Sequence, residues 1–332
     1  MALKKREKLF LKDKQRLMLI IILILILALF SLTDNFYHLK LYFNDYYIRR
    51  HILTVNKYNK CDKWIVTTAS NSPSPFIIDL ERIIKNWKIV VIGNNENVDL
   101  KWKNIFKYST KLFYLSYEEQ NYLNFNIIKL LKKNSYYRKS IGYLFSIQHG
   151  AKEIYEIDEN LEFTNVSFLD NYFTNTFVSY VARNDSLMIN PYIHFGETSI
   201  WPRGFILNDL GKQDKNNLGL INSSNIDLKP LIFQGIINGN PDIDSILYLT
   251  WKKINNFKSL NTYPLIYFPY NYVPINSKNT RYLYTIFPFL MFPVSFDENT
   301  ADIWRGYIMQ YFAWKMKGVI AYYSSEINNF VV

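Results

Sequence analysis

A short acidic run directly after a predicted strand places the strongest constraint on the fold of this chain. Residues 152–158 read as a short apolar strand, and Gly150, a residue suited to ending a helix, stands just before it. Glu156, Asp158 and Glu159 lie at the carboxyl end of that strand. Carboxylates two residues apart on an extended backbone point to the same side and can share one hard cation. The pattern predicts a divalent-metal site, for manganese or magnesium.

The helix predicted upstream of this strand adds positive charge. Arg138 and Lys139 stand in the first turns of residues 135–148, and the remainder of that segment is largely apolar. A metal and two cations together suit a polyanion, so we expect Arg138 and Lys139 to contact the diphosphate of a nucleotide sugar. A solvated strand end and a nucleotidyl- or phosphotransferase site would show the same acidic pattern.

The first half of the chain alternates between strand and helix patterns. Strands are expected at 63–68, 88–92 and 112–116, and helices at 75–86 and 136–149. With the strand at the acidic run, this order predicts an α/β fold with a parallel, doubly wound half-sheet. Ligands of such sheets bind at the carboxyl ends of the strands.

Polar residues follow the first two predicted strands. Thr67 and Ser70 lie at the exit of the first strand and Asn94 at the exit of the second. We expect these side chains to contact the base or ribose of a nucleotide. Ordinary turn and helix-capping chemistry explains the first strand exit equally well.

The second half is less regular and holds the candidates for the acceptor side. Residues 190–204 contain two prolines and two glycines, which predicts a loop. We expect His194, Trp201 and Arg203 in this loop to contact an acceptor or donor sugar. The alternative is a core tryptophan beside a surface arginine.

Two further positions are candidates for catalysis. Asp242 and Asp244 precede an apolar run, where one of them would deprotonate the acceptor hydroxyl; acids at the start of a helix need no such role. Arg305 stands in the first turn of a helix predicted over 301–316, where it would assist the leaving group. A pair with Asp302 at helical spacing is the structural alternative.

The N-terminal residues predict a membrane anchor. Residues 1–16 carry seven Lys or Arg against two acids, and residues 17–32 are uncharged and apolar over about 24 Å of helix. A cleaved signal peptide and a buried core helix explain this pattern less well. The positive-inside rule then places a cytosolic tail at 1–16, a signal anchor at 17–32, a stem at 33–60 and a lumenal domain at 61–332.

A lumenal domain has consequences for modification and partners. Three sequons, at Asn165, Asn184 and Asn222, become accessible to glycosylation, although chance produces such triplets in an Asn-rich chain. Cys61 is the sole cysteine, so the domain has no intrachain disulfide. Of the net charge of +11, residues 1–16 carry +5, seven cations minus two acids, which leaves +6 on the rest of the chain. This mild excess suits an anionic nucleotide donor or membrane surface, and no nucleic acid is expected as a partner in the lumen.

Several segments together resemble one known family. In chain order they are residues 63–66, 138–151, 190–196, 199–204, 238–245, 273–277, 292–295 and 301–307. They are similar to the STELLO family of Golgi glycosyltransferases, and the likeness spans about residues 63 to 323.

The resemblance implies a type II, single-pass Golgi membrane protein with a GT-A-like, Rossmann-related domain that uses a metal and a nucleotide sugar. The acceptor would be a glycan or a protein. Plant members associate with cellulose synthase complexes, which implies a Golgi protein complex as a further partner. Members carry an Asp-x-Asp-Asp motif, whereas Glu156 and Glu159 here move two carboxylates outward by a methylene. A non-catalytic, Golgi-anchored assembly factor that retains the fold is the alternative function.

Overall fold

The computed structural model describes residues 60–163, 169, 176–180, 187–210, 218–222, 229–250, 256–257 and 264–329. The predicted cytosolic tail, the membrane anchor and all but the last residue of the stem lie outside these residues, as do Asn165 and Asn184. Within the described ranges, no helix combines the length and apolar character needed to cross a bilayer.

Four parallel strands form the first half of a central sheet. They are β1 (Lys63–Ala69), β2 (Lys88–Gly93), β3 (Leu112–Leu115) and β4 (Glu153–Ile157). Their spatial order is β3-β2-β1-β4, and every neighbouring pair is parallel. The predicted parallel half-sheet is therefore confirmed. Strands β2 and β3 follow β1 on one side, and the chain then returns to place β4 on the other side of β1. This reversal of strand order creates a topological switch point between β1 and β4.

Helices connect these strands and cover both faces of the half-sheet. They are α1 (Pro75–Ile83), α2 (Asp99–Ile105), α3 (Tyr117–Gln120) and α4 (Lys139–Gln148). The Ser74 hydroxyl caps α1 by accepting from Ile77 N, and α1 ends three residues before the predicted boundary. A 3₁₀ turn over Tyr136–Arg138 leads into α4, and Gly150 takes the expected left-handed conformation, with φ of 87°, after its end.

The sheet continues beyond β4 with strands that the sequence patterns did not predict. These are β5 (Glu162–Phe163), β6 (Thr176–Tyr180), β7 (Leu218–Asn222), β8 (Lys229–Gly239), β9 (Leu265–Tyr267), β10 (Asn279–Leu283) and β11 (Gly318–Asn329). The order across the sheet is β3-β2-β1-β4-β10-β8-β11-β9-β6-β7, with β5 paired to β11. Strand β10 runs antiparallel to β4, with Asn279 opposite Ile157.

Two further helices accompany the second half. Helix α5 spans Ser245–Thr250, and the long helix α6 spans Glu298–Lys315. Asp297 caps α6 by accepting from the amides of Asn299 and Thr300. The helix begins three residues before its predicted start, so Arg305 lies beyond its first turn.

Helix α4 packs closely on β1 and β2 because Gly142 has no side chain. A Cβ at this position would lie 2.5 Å from Val66 Cγ1 and 3.2 Å from Ile92 Cγ1. On the opposite face of the sheet, Ile77 of α1 and Trp102 of α2 join the main hydrophobic core. The close contact of α4 with the sheet fixes the position of the residues at its N-terminus.

Substitution Gly142→Ala tests this packing. The new methyl group overlaps Val66, and we expect the free energy of unfolding to fall by about 1–3 kcal/mol, although alanine favours a helix by about 1 kcal/mol. Urea unfolding measures the change. The control is Gln148→Ala on the exposed side of the same helix, and a stabilised Gly142→Ala protein would contradict the packing described.

Candidate functional site

Eight charged side chains alternate in sign along one continuous series of ion pairs, called here the ion-pair network. Its members, in order of contact, are Lys278, Asp242, Arg203, Asp302, Arg305, Glu156, Lys139 and Asp158. They come from the N-terminus of α4, the end of β4, the start of α6, the loop around Arg203 and the loops before α5 and β10. The network therefore joins the parallel half-sheet to the second half of the chain.

Glu156 is the centre of the network. Its Oε2 accepts from Arg305 Nη2 at 3.1 Å and from the Tyr282 hydroxyl at 2.8 Å. Its Oε1 accepts from the Tyr143 hydroxyl at 2.5 Å and lies 3.4 Å from Lys139 Nζ. The side chain is fully buried, so a carboxylate that is costly to bury is matched by two cations and two hydroxyl groups.

Lys139 connects Glu156 to Asp158. Its ammonium donates to Asp158 Oδ1 at 2.7 Å, to the Tyr136 hydroxyl at 2.9 Å and to Ser277 O at 3.0 Å. The two carboxylates converge as their spacing suggests, and the cation between them is this ammonium. Lys139 is fully buried, whereas the Asp158 side chain is 25% exposed.

Arg203 links Asp302 to Asp242, one of the candidates on the acceptor side. Its Nη2 lies 2.7 Å from Asp302 Oδ2 and 3.0 Å from Asp242 Oδ2. Lys278 Nζ lies 3.2 Å from Asp242 Oδ1. Burial alone would raise the pKa of Asp242, but the nearby Lys278 and Arg203 outweigh it and hold that pKa below its ordinary value.

Arg305 is held inside the protein and does not face solvent. It lies 3.1 Å from Asp302 Oδ1, so the helical pair considered from the sequence forms, in a buried setting. The Phe292 ring covers one face of the guanidinium, whose central carbon lies 4.0 Å from the ring centroid. Burial lowers the pKa of Arg305, and Glu156 more than compensates, so the guanidinium stays charged.

Three candidates meet at the carboxyl ends of β1, β2 and β4. Glu159 accepts from the backbone amide of Ser70 at 2.9 Å and from Asn71 Nδ2 at 3.0 Å. Asn94 Nδ2 donates to Ser70 Oγ at 3.0 Å. Thr67 is enclosed within β1. The acidic run thus fixes the loop after β1 through Glu159.

Arg138 points away from Lys139. Its Nε donates to Gln120 Oε1 at 3.0 Å, and its guanidinium stacks on the Tyr117 ring at 4.4 Å. It is 1% exposed. In this arrangement Arg138 braces the segment after β3 and stands apart from the ion-pair network.

His194, Trp201 and Asp244 have local structural contacts. The His194 ring nitrogen Nδ1 lies 3.0 Å from the Tyr267 hydroxyl, and burial lowers the pKa of His194 to about 4. The Trp201 carbonyl accepts from Asp244 N at 3.2 Å. Asp244 Oδ1 accepts from the amides of Ile246 and Leu247 and so caps α5.

Of the three acidic side chains Glu156, Asp158 and Glu159, only one is free to bind a divalent metal. Across the described ranges, no three His, Cys, Asp or Glu side chains are grouped as metal ligands. Glu156 is buried with both oxygens engaged, and Glu159 is engaged by the loop after β1. Asp158 keeps part of its surface in solvent. A shared site on Glu156, Asp158 and Glu159 does not fit this arrangement, whereas Asp158 fits as a single ligand.

Sequence reasoning missed Lys278, Tyr143 and Tyr282. Lys278 directly precedes the polar strand β10, which carries no clear alternating pattern, and both tyrosines read as ordinary core residues. The resemblance motif at 273–277 ends one residue before Lys278. That motif was the available signal.

A small polar pocket opens beside Asp242. It is lined by Tyr192, Gln234, Gly235, Ile236, Ile237, Asp242, Asn276 and Tyr322. Asn276 lies two residues from Lys278 and receives a hydrogen bond on its Oδ1 from Lys278 N at 3.0 Å. The pocket therefore adjoins one end of the ion-pair network.

The fold and site define a mixed α/β protein whose polar candidates gather at the carboxyl end of a parallel half-sheet. No protein-family model matches the sequence. The chain is 33% identical over 291 residues to the Arabidopsis thaliana protein named Probable glycosyltransferase STELLO2. This alignment covers 82% of the chain and 36% of the relative. The chain is also 33% identical over 284 residues to Probable glycosyltransferase STELLO1 of the same plant, covering 81% and 35%.

The chain belongs to the STELLO family, as its sequence motifs indicated. It spans about a third of the length of these curated relatives. The family assignment therefore applies to the matched region.

Removing Arg305 tests the importance of the ion-pair network for stability. In Arg305→Met, Glu156 and Asp302 lose a buried cation, and we expect the free energy of unfolding to fall by about 3–5 kcal/mol in urea titrations. The control is Arg82→Met, since the Arg82–Asp79 pair has side chains 71% and 63% exposed. That change should leave stability nearly unchanged. Equal effects of the two substitutions would contradict the buried network.

Buried His194 predicts a pH dependence of stability. Its folded pKa of about 4 lies below the unfolded value of about 6.5, so its contribution is complete above pH about 6.5. The contribution is lost as the pH falls toward 4, by up to about 3 kcal/mol. Unfolding free energies measured across this range should fall less steeply for His194→Gln. Parallel curves for the two proteins would show that His194 does not titrate as described.

Proposed function

We propose that this protein transfers a sugar from a nucleotide sugar and that its α/β domain is GT-A-like. The observation that carries the proposal is the gathering of Ser70, Asn94 and Glu159 at the carboxyl ends of β1, β2 and β4, with Asp158 directly before Glu159 in the chain. Nucleotides bind at this position in doubly wound sheets. The printed names of the two relatives support the same reaction class.

In this proposal the donor lies across the carboxyl ends of β1, β2 and β4. Ser70 and Asn94 contact the base or ribose, and Asp158 faces the diphosphate. A divalent cation, manganese or magnesium, would take Asp158 as its protein ligand and neutralise phosphate charge. Lys139 and Tyr136 hold Asp158 Oδ1 in place. Lys139 and Arg305 act from inside the protein through the ion-pair network, whereas Arg138 braces the segment after β3.

The acceptor lies on the Asp242 side of the site. Asp242 borders the polar pocket and is the candidate base, because Asp244 is occupied as the cap of α5. Two cations stabilise its charged form, so it accepts a proton less readily than an isolated carboxylate does. Arg203 holds Asp242 in position, and Trp201 lies in the same loop.

The cellular setting is part of the proposal. We infer a single-pass, type II Golgi membrane protein with its domain in the lumen, glycosylated on one or more of Asn165, Asn184 and Asn222. A Golgi protein complex is its proposed assembly partner. These inferences are supported by the charge asymmetry of the N-terminal residues and by the family assignment.

Substitution Asp158→Asn tests the donor site. The amide keeps an oxygen for Lys139 and Tyr136 but loses the negative charge, so we expect manganese-assisted affinity for UDP or GDP to fall about tenfold or more. Isothermal titration calorimetry with and without manganese measures it. Asp79→Asn, which alters a carboxylate 63% exposed on α1, is the control. Undiminished affinity with undiminished metal dependence would remove Asp158 from the site.

Release of nucleoside diphosphate separates an enzyme from an assembly factor. The wild-type protein and Asp242→Asn are each incubated with a panel of nucleotide sugars and Golgi extract as the acceptor source. An enzyme loses turnover in the variant while it retains donor binding. Donor binding without turnover in either protein favours the assembly factor.

A further inference from the structure

The ion-pair network is most accessible at its two ends. The side chain of Lys278 is 28% exposed and that of Asp158 is 25% exposed. The six members between them are at most 14% exposed. A ligand that approaches the network from solvent therefore meets one ammonium group and one carboxylate.

Strand register brings these two ends to the same place. Asn279 of β10 is opposite Ile157 of β4, so the next residue outward on each strand is Lys278 and Asp158. Residues opposite one another on neighbouring antiparallel strands project from the same face. Burial would lower the pKa of Lys278, but Asp242 and, after it, Asp158 outweigh burial and raise that pKa, which agrees with the proximity of Lys278 and Asp158.

The other cations of the site are committed to internal partners. Lys139 donates to Asp158, Tyr136 and Ser277, and it is fully buried. Arg305 is enclosed by Glu156, Asp302 and Phe292. Arg138 is held by Gln120 and the Tyr117 ring. None of these three is more than 2% exposed, so an incoming diphosphate would have to dismantle buried structure to reach them. Arg203 is paired with both Asp242 and Asp302, and its side chain is 14% exposed, half as much as that of Lys278.

We propose that Lys278 is the side chain that contacts the diphosphate of the nucleotide donor. This inference rests on the proposed function and names a residue for it. A lysine ammonium is a point charge on a flexible four-carbon stem, so it can turn from Asp242 toward a phosphate oxygen. Asp242 keeps its contacts with Arg203 when this happens, and its charge remains matched. The move therefore leaves no buried charge without a partner.

Binding measurements on the full-length protein test the assignment. The probes are inorganic pyrophosphate, UDP and GDP, each titrated by calorimetry. Lys278→Met is expected to weaken all three by about tenfold or more, because loss of one charge-assisted contact affects the shared phosphates and not the base. Lys278→Arg keeps the charge and should stay within about threefold of wild type.

The control is Lys152→Met. Lys152 is an exposed lysine paired with Asp62 beside the opposite end of β4, and its removal should leave all three affinities unchanged. Thermal unfolding of each variant checks that it is folded. Equal weakening in Lys152→Met and Lys278→Met would reduce the effect to net charge and overturn the assignment.

Chemical labelling gives a second test that needs no substitution. The Lys278 side chain is 28% exposed, and bound pyrophosphate or UDP should slow its reaction with an amine-specific reagent at alkaline pH, as measured by peptide mass spectrometry. Tight binding without protection of Lys278, and without loss in Lys278→Met, overturns this inference and leaves the proposed function standing. Absence of binding of every probe by the folded wild-type protein, with and without manganese, overturns both.

Discussion

The arrangement of this site depends on the neutralisation of Glu156. An isolated carboxylate in the interior is costly, and the protein meets that cost with Arg305, Lys139 and the hydroxyls of Tyr143 and Tyr282. These partners come from α4, β10 and α6. The requirement to match one charge thus fixes how three elements meet β4, and it places Asp158 at the surface two residues further along.

Because Glu156 must be neutralised in the interior, the three carboxylates of the acidic run have different roles. Glu156 organises the interior, Glu159 holds the loop after β1, and Asp158 remains available to a ligand. Three neighbouring carboxylates therefore have three different surroundings. A motif that looks like a single ligand set in sequence is, in the fold, a structural centre, a loop anchor and one surface acid.

The sequence patterns predicted those helices and strands that depend on residues close together in the chain. The buried strands β1 and β2, the helix α4 and its termination at Gly150 follow from apolar periodicity and backbone preference. The ion-pair network does not, because Glu156 and Arg305 are 149 residues apart in sequence. Strand β10 was also not predicted, because its polar and aromatic residues show no clear alternation. The position of Lys278, which directly precedes β10, therefore could not be predicted either.

Alternating charge also limits how this protein can change over evolutionary time. Every inner member of the ion-pair network has a partner of opposite sign on each side, so replacing one affects two pairs at once. Effects of substitutions within such a set are not additive. Neutral drift should therefore favour exchanges that keep the sign of the charge, such as Asp for Glu, and should remove opposite charges together in compensating steps.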